Sequence, residues 1–265
     1  MDSDLQAHKK IQYSVFLIEN SVDTASRILF LGSLEATKNK QAQRLYLFLA
    51  AIFIASLVAC NLIFQKFFSW QPFTAFGWDY SFEISVGLIP YPITFLVTDL
   101  ISELYGRKKA NRVVMSGVIA SVFVLGIVAV ADLVSATPWS PVDDRTFSSV
   151  FGLTGVAVFA SMMAYLIAQF IDIRIFHFWK RLTHGKKLWL RNNFSTIPSQ
   201  FIDTMVVLGL LCYFEAIAWD RFWILFVNGF AYKVLVALFD TPLFYLTAGW
   251  ARRYFQLGLE DELDV

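Results

Sequence analysis

Acidic side chains recur inside hydrophobic stretches that are long enough to be membrane helices. The first such stretch runs from Gly87 to Tyr105 and contains Asp99 and Glu103, which are four residues apart and share a helix face. A charge at the centre of a membrane helix costs about 2.5–3.5 kcal/mol, so such a side chain usually faces a partner, an ion or a substrate. The pattern predicts a polar cavity inside a membrane protein.

A second stretch, residues 190–204, places hydrogen-bonding groups along one stripe of a helix. The members of the stripe are Asn192, Thr196, Ser199, Gln200, Asp203 and Thr204. Pro198 suits the first turn of a helix, so residues 192–197 are expected to form an entry loop or a broken half-helix. Half-helices of this kind commonly point at transported ligands. The alternative is a packing seam, with interhelical hydrogen bonds of about 0.6 kcal/mol each.

A third stretch contains a lysine well inside a hydrophobic span. Lys233 is followed seven residues later by Asp240, which lies on the same helix face. Pairing within this helix is one interpretation. In the other, Lys233 neutralises Asp99 or Asp203 across the helix bundle, which leaves the remaining carboxylate free for a ligand. The lysine and the two aspartates are then expected to meet in one intramembrane cavity.

Several other polar residues have simpler structural interpretations. Glu103 precedes Arg107 by four residues, which favours an exposed ion pair at the membrane boundary. Asp172 lies beside Arg174 near the end of another hydrophobic segment, so a surface ion pair is expected there as well. Asn61 is expected to line the external half of the bundle.

The composition is that of a membrane protein. Of the 265 residues, 57% are hydrophobic and 16% are charged, whereas a soluble domain carries about 25% charged residues. The net charge of +1 gives no indication of nucleic-acid binding. Cys60 and Cys212 lie inside hydrophobic runs, where cysteine acts as a small apolar side chain, and no disulfide is expected.

Six hydrophobic segments are long enough to cross a bilayer, given that about 20 residues span the hydrocarbon core. They are predicted at Leu45–Phe68, Phe82–Tyr105, Val113–Val134, Gly152–Ile173, Pro198–Trp219 and Phe222–Gly249. Basic residues concentrate in alternate connections, such as residues 107–112 and 174–191, so the positive-inside rule places both termini in the cytoplasm. Pro90 and Pro92 predict a kinked or discontinuous second helix. The expected fold class is an all-α polytopic membrane protein.

The predicted organisation has three parts: a cytoplasmic tail at residues 1–44, a six-helix transmembrane domain at residues 45–255 and an acidic cytoplasmic tail at residues 256–265. The sequence lacks the HExxH, GxSxG and phosphate-loop motifs, so we expect no enzyme activity, no cofactor and no metal. The expected partners are a small-molecule substrate and membrane lipid, without nucleic acid. The pattern leaves homo-oligomer formation open.

Three blocks of sequence resemble one known family. They are residues 92–106 (PITFLVTDLISELYG), residues 190–204 (LRNNFSTIPSQFIDT) and residues 232–245 (YKVLVALFDTPLFY). In order and spacing they resemble the queuosine precursor transporter family over roughly residues 45–255. The resemblance implies an inner-membrane importer with six helices, related to the substrate-binding subunits of energy-coupling-factor vitamin importers. It also implies uptake of 7-deazaguanine bases, the cyano- and aminomethyl-substituted precursors of queuosine (preQ0 and preQ1).

The predicted site residues suit such a base. A 7-deazaguanine presents adjacent N–H donors and a carbonyl, which a carboxylate and an amide or ammonium group can bind. Asp99 or Asp203 is expected on the N–H edge, and Lys233 is expected as the buried counter-charge. The complete set of predicted substrate-binding residues is Asp99, Glu103, Asn193, Thr196, Gln200, Asp203, Asn228, Lys233 and Asp240.

Three hypotheses about activity stay open at this stage. The leading one is a stand-alone carrier that works by alternating access. The second is a substrate-binding subunit that transports only with an ATP-hydrolysing partner, and the third is an intramembrane hydrolase that uses paired aspartates. Within the transport hypotheses, the solute is a queuosine precursor or another purine-like or vitamin-like compound.

Overall fold

The computed structural model describes residues 36–64, 66–71, 80–151, 155–184, 186–215, 217–258 and 261–263. Tyr46–Leu263 form one compact unit, which contains every predicted site residue. The expected cytoplasmic tails lie largely outside the described residues, namely residues 1–35 at one end and residues 259, 260, 264 and 265 at the other. The division into tails and a transmembrane domain therefore stays a prediction.

The described chain is mostly helical, with one short β-hairpin. In chain order the elements are α1 (Ala36–Ile63), β1 (Phe67–Trp70), β2 (Phe82–Ser85), a 3-10 helix (Val86–Leu88), α2 (Tyr91–Asp132), α3 (Asp144–Phe151), α4 (Gly155–Leu182), α5 (Leu188–Tyr213), a second 3-10 helix (Trp219–Arg221) and α6 (Phe222–Phe255). Helix α5 packs against both α4 and α6, and α2 packs against α4 and α6. These four helices hold most of the buried polar side chains.

Four helical stretches of the described chain are long and apolar enough to cross a membrane. They are Ala36–Ile63, Val86–Asp132, Leu188–Tyr213 and Trp219–Phe255. The predicted count of six is therefore not reproduced. The second and third predicted segments fall in one stretch of 47 residues. Helix α4 lies at the position of the fourth predicted segment, but it is not one of the four stretches named above.

A two-stranded antiparallel sheet replaces predicted helix between α1 and α2, so the all-α class needs correction. The strands pair with Phe68 opposite Ile84. The buried residues of β2 alternate with an exposed Glu83, as expected for a strand with one face packed. Helix cannot extend upstream into β2 because Pro90 and Pro92 each lack a backbone donor and restrict the residue before them. The discontinuity expected near Pro90 is thus the junction between the 3-10 helix and α2.

Helix α2 changes direction inside its length at Gly106. The backbone there has φ 78° and ψ 172°, which is a conformation that glycine adopts far more readily than other residues. Four basic residues follow within six positions, namely Arg107, Lys108, Lys109 and Arg112. The second and third predicted segments are therefore parts of one helix that breaks only at Gly106. Residues 107–112, which were predicted as a connection, are helical.

Helix α5 runs without interruption through Pro198, so the predicted entry loop or half-helix at residues 192–197 is wrong. Proline in a helix interior removes one backbone hydrogen bond, but neighbouring helices and hydroxyl groups compensate for this loss in membrane proteins. The turn around Pro198 is rich in hydroxyl groups. Ser195 donates to the carbonyl of Asn192, and α4 and α6 both pack against α5.

Candidate functional site

A cavity of about 150 Å³ lies between the end of α1, the hairpin and helices α4, α5 and α6. Its polar lining consists of Asn61, Glu83, Ser85, Tyr91, Ser161, Tyr165, Asp203, Thr204 and Lys233. Hydrophobic side chains such as Leu57, Leu208 and Leu225 form the rest of the wall. A mostly apolar cavity with a few converging polar groups is the usual form of a small-molecule site.

A buried ion pair forms the most polar part of the cavity wall. Lys233 Nζ lies 2.6 Å from Asp203 Oδ2 and donates a second hydrogen bond of 3.1 Å to Thr204 Oγ1. The same ammonium lies 4.5 Å from the centre of the Tyr91 ring, a cation–π contact. The structure thus pairs Lys233 with Asp203 across the bundle, as one sequence hypothesis predicted, rather than with Asp240 of its own helix.

Two tyrosine rings stand beside this ion pair. The rings of Tyr91 from α2 and Tyr165 from α4 lie 5.8 Å apart, edge to face. Gln169 donates a hydrogen bond of 2.7 Å to the Tyr165 hydroxyl, which fixes the orientation of that ring. The cavity therefore offers aromatic surfaces next to one carboxylate and one ammonium group. Asn61 also lines the cavity, and its predicted place in the external half of the bundle stays a prediction.

A smaller crevice of about 20 Å³ shares Tyr91 and Lys233 with the cavity. It is lined by three further predicted residues: Thr196, Gln200 and Asp240. A space of this size holds about one water molecule. The side-chain oxygen Oε1 of Gln200 is buried there without a hydrogen-bond donor from the described residues. These predicted residues therefore lie next to the ion pair but outside the larger cavity.

Asp99 lines neither space, so the expected meeting of Asp99 with Asp203 and Lys233 in one cavity is wrong. Asp99 is 2% exposed and accepts a hydrogen bond of 3.4 Å from Thr196 Oγ1. Ser199, one helical turn after Thr196, donates to Asp172 of α4, so one turn of α5 holds both carboxyl groups.

The predicted surface pair between Asp172 and Arg174 is also wrong, because Asp172 points into the helix bundle. It is 0% exposed and accepts a hydrogen bond of 3.0 Å from Ser199 Oγ. Arg174 is exposed. The two residues are only two positions apart and so lie on different faces of α4, one buried and one outside.

Glu103 is buried rather than paired with Arg107 at the surface. Its Oε1 atom lies 2.7 Å from Arg191 of α5 and 2.7 Å from Arg252 of α6. Lys180 of α4 donates to the main-chain carbonyl of Glu103 at 3.3 Å. The side chain of Glu103 thus ties α5 and α6 to α2, and its main-chain carbonyl adds a contact with α4, which is a structural role at a position predicted to bind substrate.

The two predicted asparagines also connect elements rather than line the cavity. Asn193 donates to Thr241 Oγ1 at 2.9 Å and so links α5 to α6. Asn228 accepts a hydrogen bond of 2.6 Å from the hydroxyl of Tyr80, which precedes β2. Both amides are buried, and each uses its side chain to join segments that are distant in sequence.

Sequence reasoning missed several residues of the site. In α4, Tyr165 lies four residues before Gln169 on one helix face, a spacing that was visible in the sequence. Tyr91 lies between Pro90 and Pro92. These prolines predicted a break in the backbone, but no role was predicted for the Tyr91 ring. Glu83 of β2 gave no signal, since the strand itself was predicted as helix.

A family model described as "Putative vitamin uptake transporter" matches residues 85–247. The match covers more than half of the chain and includes both members of the Asp203–Lys233 pair. The chain belongs to this family. It is a multi-pass membrane transporter and not an enzyme, as the sequence predicted.

Two curated relatives agree with this assignment. A protein of Bacillus subtilis (strain 168) named "Probable queuosine precursor transporter" is 26% identical over 164 residues, which are 61% of this chain and 70% of the relative. A protein of the same name from Haemophilus influenzae (strain ATCC 51907 / DSM 11121 / KW20 / Rd) is 26% identical over 181 residues, 67% of this chain and 74% of the relative. The predicted family resemblance is thereby confirmed. No solved structure matches the chain significantly, so the expected likeness to energy-coupling-factor subunits stays a prediction.

Proposed function

We propose that this transporter imports queuosine precursors, 7-deazaguanine bases such as preQ0 and preQ1, and binds them in the cavity beside Asp203 and Lys233. The observation that carries the proposal is the buried ion pair in the wall of a cavity with aromatic sides. A volume of about 150 Å³ accommodates one small aromatic ring system. The names of the two relatives supply the substrate class.

Each part of the base has a matching group in this arrangement. The Asp203 carboxylate accepts hydrogen bonds from the adjacent ring and amino N–H groups, in the bidentate manner that planar donors favour. The Lys233 ammonium donates to the carbonyl of the base, and Thr204 remains within reach of both charged groups. Tyr91 and Tyr165 contact the faces or edges of the ring.

The other predicted site residues take different roles in this proposal. Thr196, Gln200 and Asp240 line the crevice next to Lys233, which holds about one water molecule and not the base. Asp99, Glu103, Asn193 and Asn228 hold the surrounding segments together. Only Asp203 and Lys233 then contact the base among the nine residues that the sequence predicted.

We further propose that the chain crosses the membrane six times. At 1.5 Å per residue, the 42 residues of α2 are about 63 Å long, twice the thickness of the hydrocarbon core. The break at Gly106, followed by basic residues, divides this helix into two crossings. Together with α1, α4, α5 and α6 these make six, with both termini and the basic connections in the cytoplasm. The cavity, lined by the hairpin, then opens toward the opposite side, from which an importer collects its solute.

Growth of cells that cannot synthesise the precursor tests the substrate. With this chain expressed, externally supplied preQ0 or preQ1 is expected to restore queuosine in tRNA, whereas Asp203→Asn and Lys233→Met are expected to abolish restoration. Asp143→Asn, an exposed aspartate outside the cavity, is the matched control and should behave as wild type. Good expression without restoration in the wild type would contradict the proposal.

Purified protein in liposomes separates the transport mechanisms. A stand-alone carrier takes up radiolabelled base when it is the sole protein present. A subunit that needs an ATP-hydrolysing partner binds the base but transports none under these conditions. Competition by guanine analogues and by unrelated vitamins then separates a purine-like site from a vitamin-like one.

A further inference from the structure

Two carboxyl groups lie between α2 and α4, outside the cavity. The side chains of Asp99 and Asp172 are 2% and 0% exposed, and hydroxyl groups from one turn of α5 hold both of them. Thr196 and Ser199 of α5 each donate to one oxygen of the pair, at 3.4 Å and 3.0 Å. The remaining oxygens, Asp99 Oδ1 and Asp172 Oδ2, receive no hydrogen bond from the described residues.

Two buried carboxyl groups, each with an unbonded oxygen, lack a hydrogen-bond donor that protonation of one of them would supply. An ionised carboxylate only accepts hydrogen bonds, so two carboxyl groups can be bonded to each other only when one of them is protonated. Two negative charges close together inside a membrane protein would also repel each other strongly, since little solvent screens them. A single proton on Asp99 or Asp172 removes the repulsion and adds the hydrogen-bond donor that the two groups otherwise lack.

Charged and titratable side chains on the four surrounding helices do not supply a cation to the pair. They include Tyr91 and Glu103 on α2, Tyr165, Arg174, His177 and Lys180 on α4, Arg191 and Asp203 on α5, and Lys233, Asp240 and Arg252 on α6. Glu103 binds Arg191, and Asp203 binds Lys233. Asp240 is acidic and increases the negative field at Asp99. Among the described residues, no ion pair reaches either member of the carboxyl pair.

We propose that Asp99 and Asp172 form a proton-binding site whose proton is taken up together with the base, an inference that rests on the proposed import function. The link to the cavity is structural. Thr196 donates to Asp99 and also lines the crevice that includes Lys233. Loss of the proton makes α2 and α4 repel each other, and these helices carry Tyr91 and Tyr165 of the cavity wall. Proton binding and base binding therefore strengthen each other reciprocally.

The test uses two complementary variants, Asp99→Asn and Asp172→Asn. In each, the asparagine amide donates to the remaining carboxylate and so reproduces the one-proton arrangement without a titrating proton. Both variants are expected to fold and to bind the base. In wild-type protein, raising the pH removes the proton, and the Kd for the base rises by up to about tenfold per pH unit for one linked proton. In both variants the Kd is expected to be independent of pH over the same range.

Transport gives the second readout. In liposomes that contain a pH-sensitive dye, an inward proton gradient is expected to accelerate base uptake by the wild type several-fold, and uptake is expected to acidify the interior. Asp99→Asn and Asp172→Asn should lose both effects, while the exposed control Asp143→Asn keeps them. Robust wild-type uptake that neither responds to the gradient nor acidifies the interior would overturn the proposal.

Infrared spectra of the purified protein separate this proposal from the proposed function. Without any base present, wild-type protein at neutral pH is expected to show the C=O stretch of a protonated buried carboxyl, which disappears in Asp99→Asn and in Asp172→Asn. Presence of this band in a protein that binds no 7-deazaguanine would support the proton site and refute the substrate. Absence of the band in a protein that does transport the base would refute the proton site alone.

Discussion

Lys233 is the residue on which the candidate site depends. Its ammonium group is buried and is compensated by Asp203, with further contacts to Thr204 and Tyr91. Removing one partner of a buried ion pair leaves an uncompensated charge and costs about 3–5 kcal/mol, whereas removing both partners costs much less. Stability and binding can therefore be separated at this pair by comparing single and double substitutions.

The single variant Lys233→Met is expected to lower the free energy of unfolding by about 3–5 kcal/mol, because Asp203 is left buried and unpaired. The double variant Lys233→Met with Asp203→Asn is expected to regain most of that stability. Neither variant should bind the base. Thermal unfolding in detergent, combined with calorimetric titration of preQ1, measures both properties. A double variant as unstable as the single one would show that the ion pair does not determine the stability of this region.

Among individual residues, the sequence predicted the ion pair of Lys233 with an aspartate but missed the ion pair between Arg191 and Glu103. Apart from Lys66 near the end of the first predicted span, Lys233 is the one cation inside the predicted spans, so its pairing with an intramembrane aspartate followed from charge balance. Arg191 was assigned to a loop because Pro198 was taken as the start of its helix. The helix begins at Leu188 instead, which places Arg191 inside the bundle against Glu103.

Among the elements, α2 decides the architecture through the break at Gly106. This position has a positive φ, and a Cβ atom there would collide with the carboxylate of Glu262. The segment around Glu262 lies against the break, since Leu263 donates to the carbonyl of Leu104 at 2.7 Å and Glu262 pairs with Lys180 at 3.2 Å. Gly106 therefore permits both the change of helix direction and the close approach of the chain terminus.

Gly106→Ala is expected to destabilise the protein by about 1–3 kcal/mol, the usual cost of a strained backbone conformation, with the displacement of Glu262 in addition. Gly126→Ala is the matched control in the same helix, because a Cβ atom there meets no other atom within 4 Å. Alanine at that helical position should be neutral or slightly stabilising. The midpoint of thermal unfolding distinguishes the two, and equal midpoints would contradict the role given to Gly106.

The hairpin is the element that the sequence could not predict. Both strands are four residues long and stand at the ends of apolar runs, where periodicity does not distinguish a short strand from the end of a helix. The prolines at positions 90 and 92 predicted a discontinuity in the right place. They did not show that the chain before it would pair as strands and close one end of the cavity.

For the whole molecule, the arrangement of crossings determines which side the cavity faces. In the proposed topology, α2 crosses twice, with residues 107–112 in the cytoplasm and the connection between α2 and α3 on the opposite side. The positive-inside rule predicted this orientation from the sequence, since it depends on where basic residues lie and not on exact helix ends.

Cysteine labelling in intact cells tests this orientation. In a background with Cys60→Ala and Cys212→Ala, the variant Ser140→Cys is expected to react with a membrane-impermeant maleimide added outside. Lys108→Cys is expected to react only after the cells are permeabilised. Reaction of both cysteines from the same side would show that α2 does not cross twice.

The most direct test of the central claim is a density map of the purified protein with preQ1 bound. We predict density for the base in the cavity, with its N–H edge on Asp203, its carbonyl within hydrogen-bond distance of Lys233 and its ring beside Tyr91 and Tyr165. A base bound elsewhere in the helix bundle, with the Asp203–Lys233 pair unchanged and the cavity empty, would contradict the account.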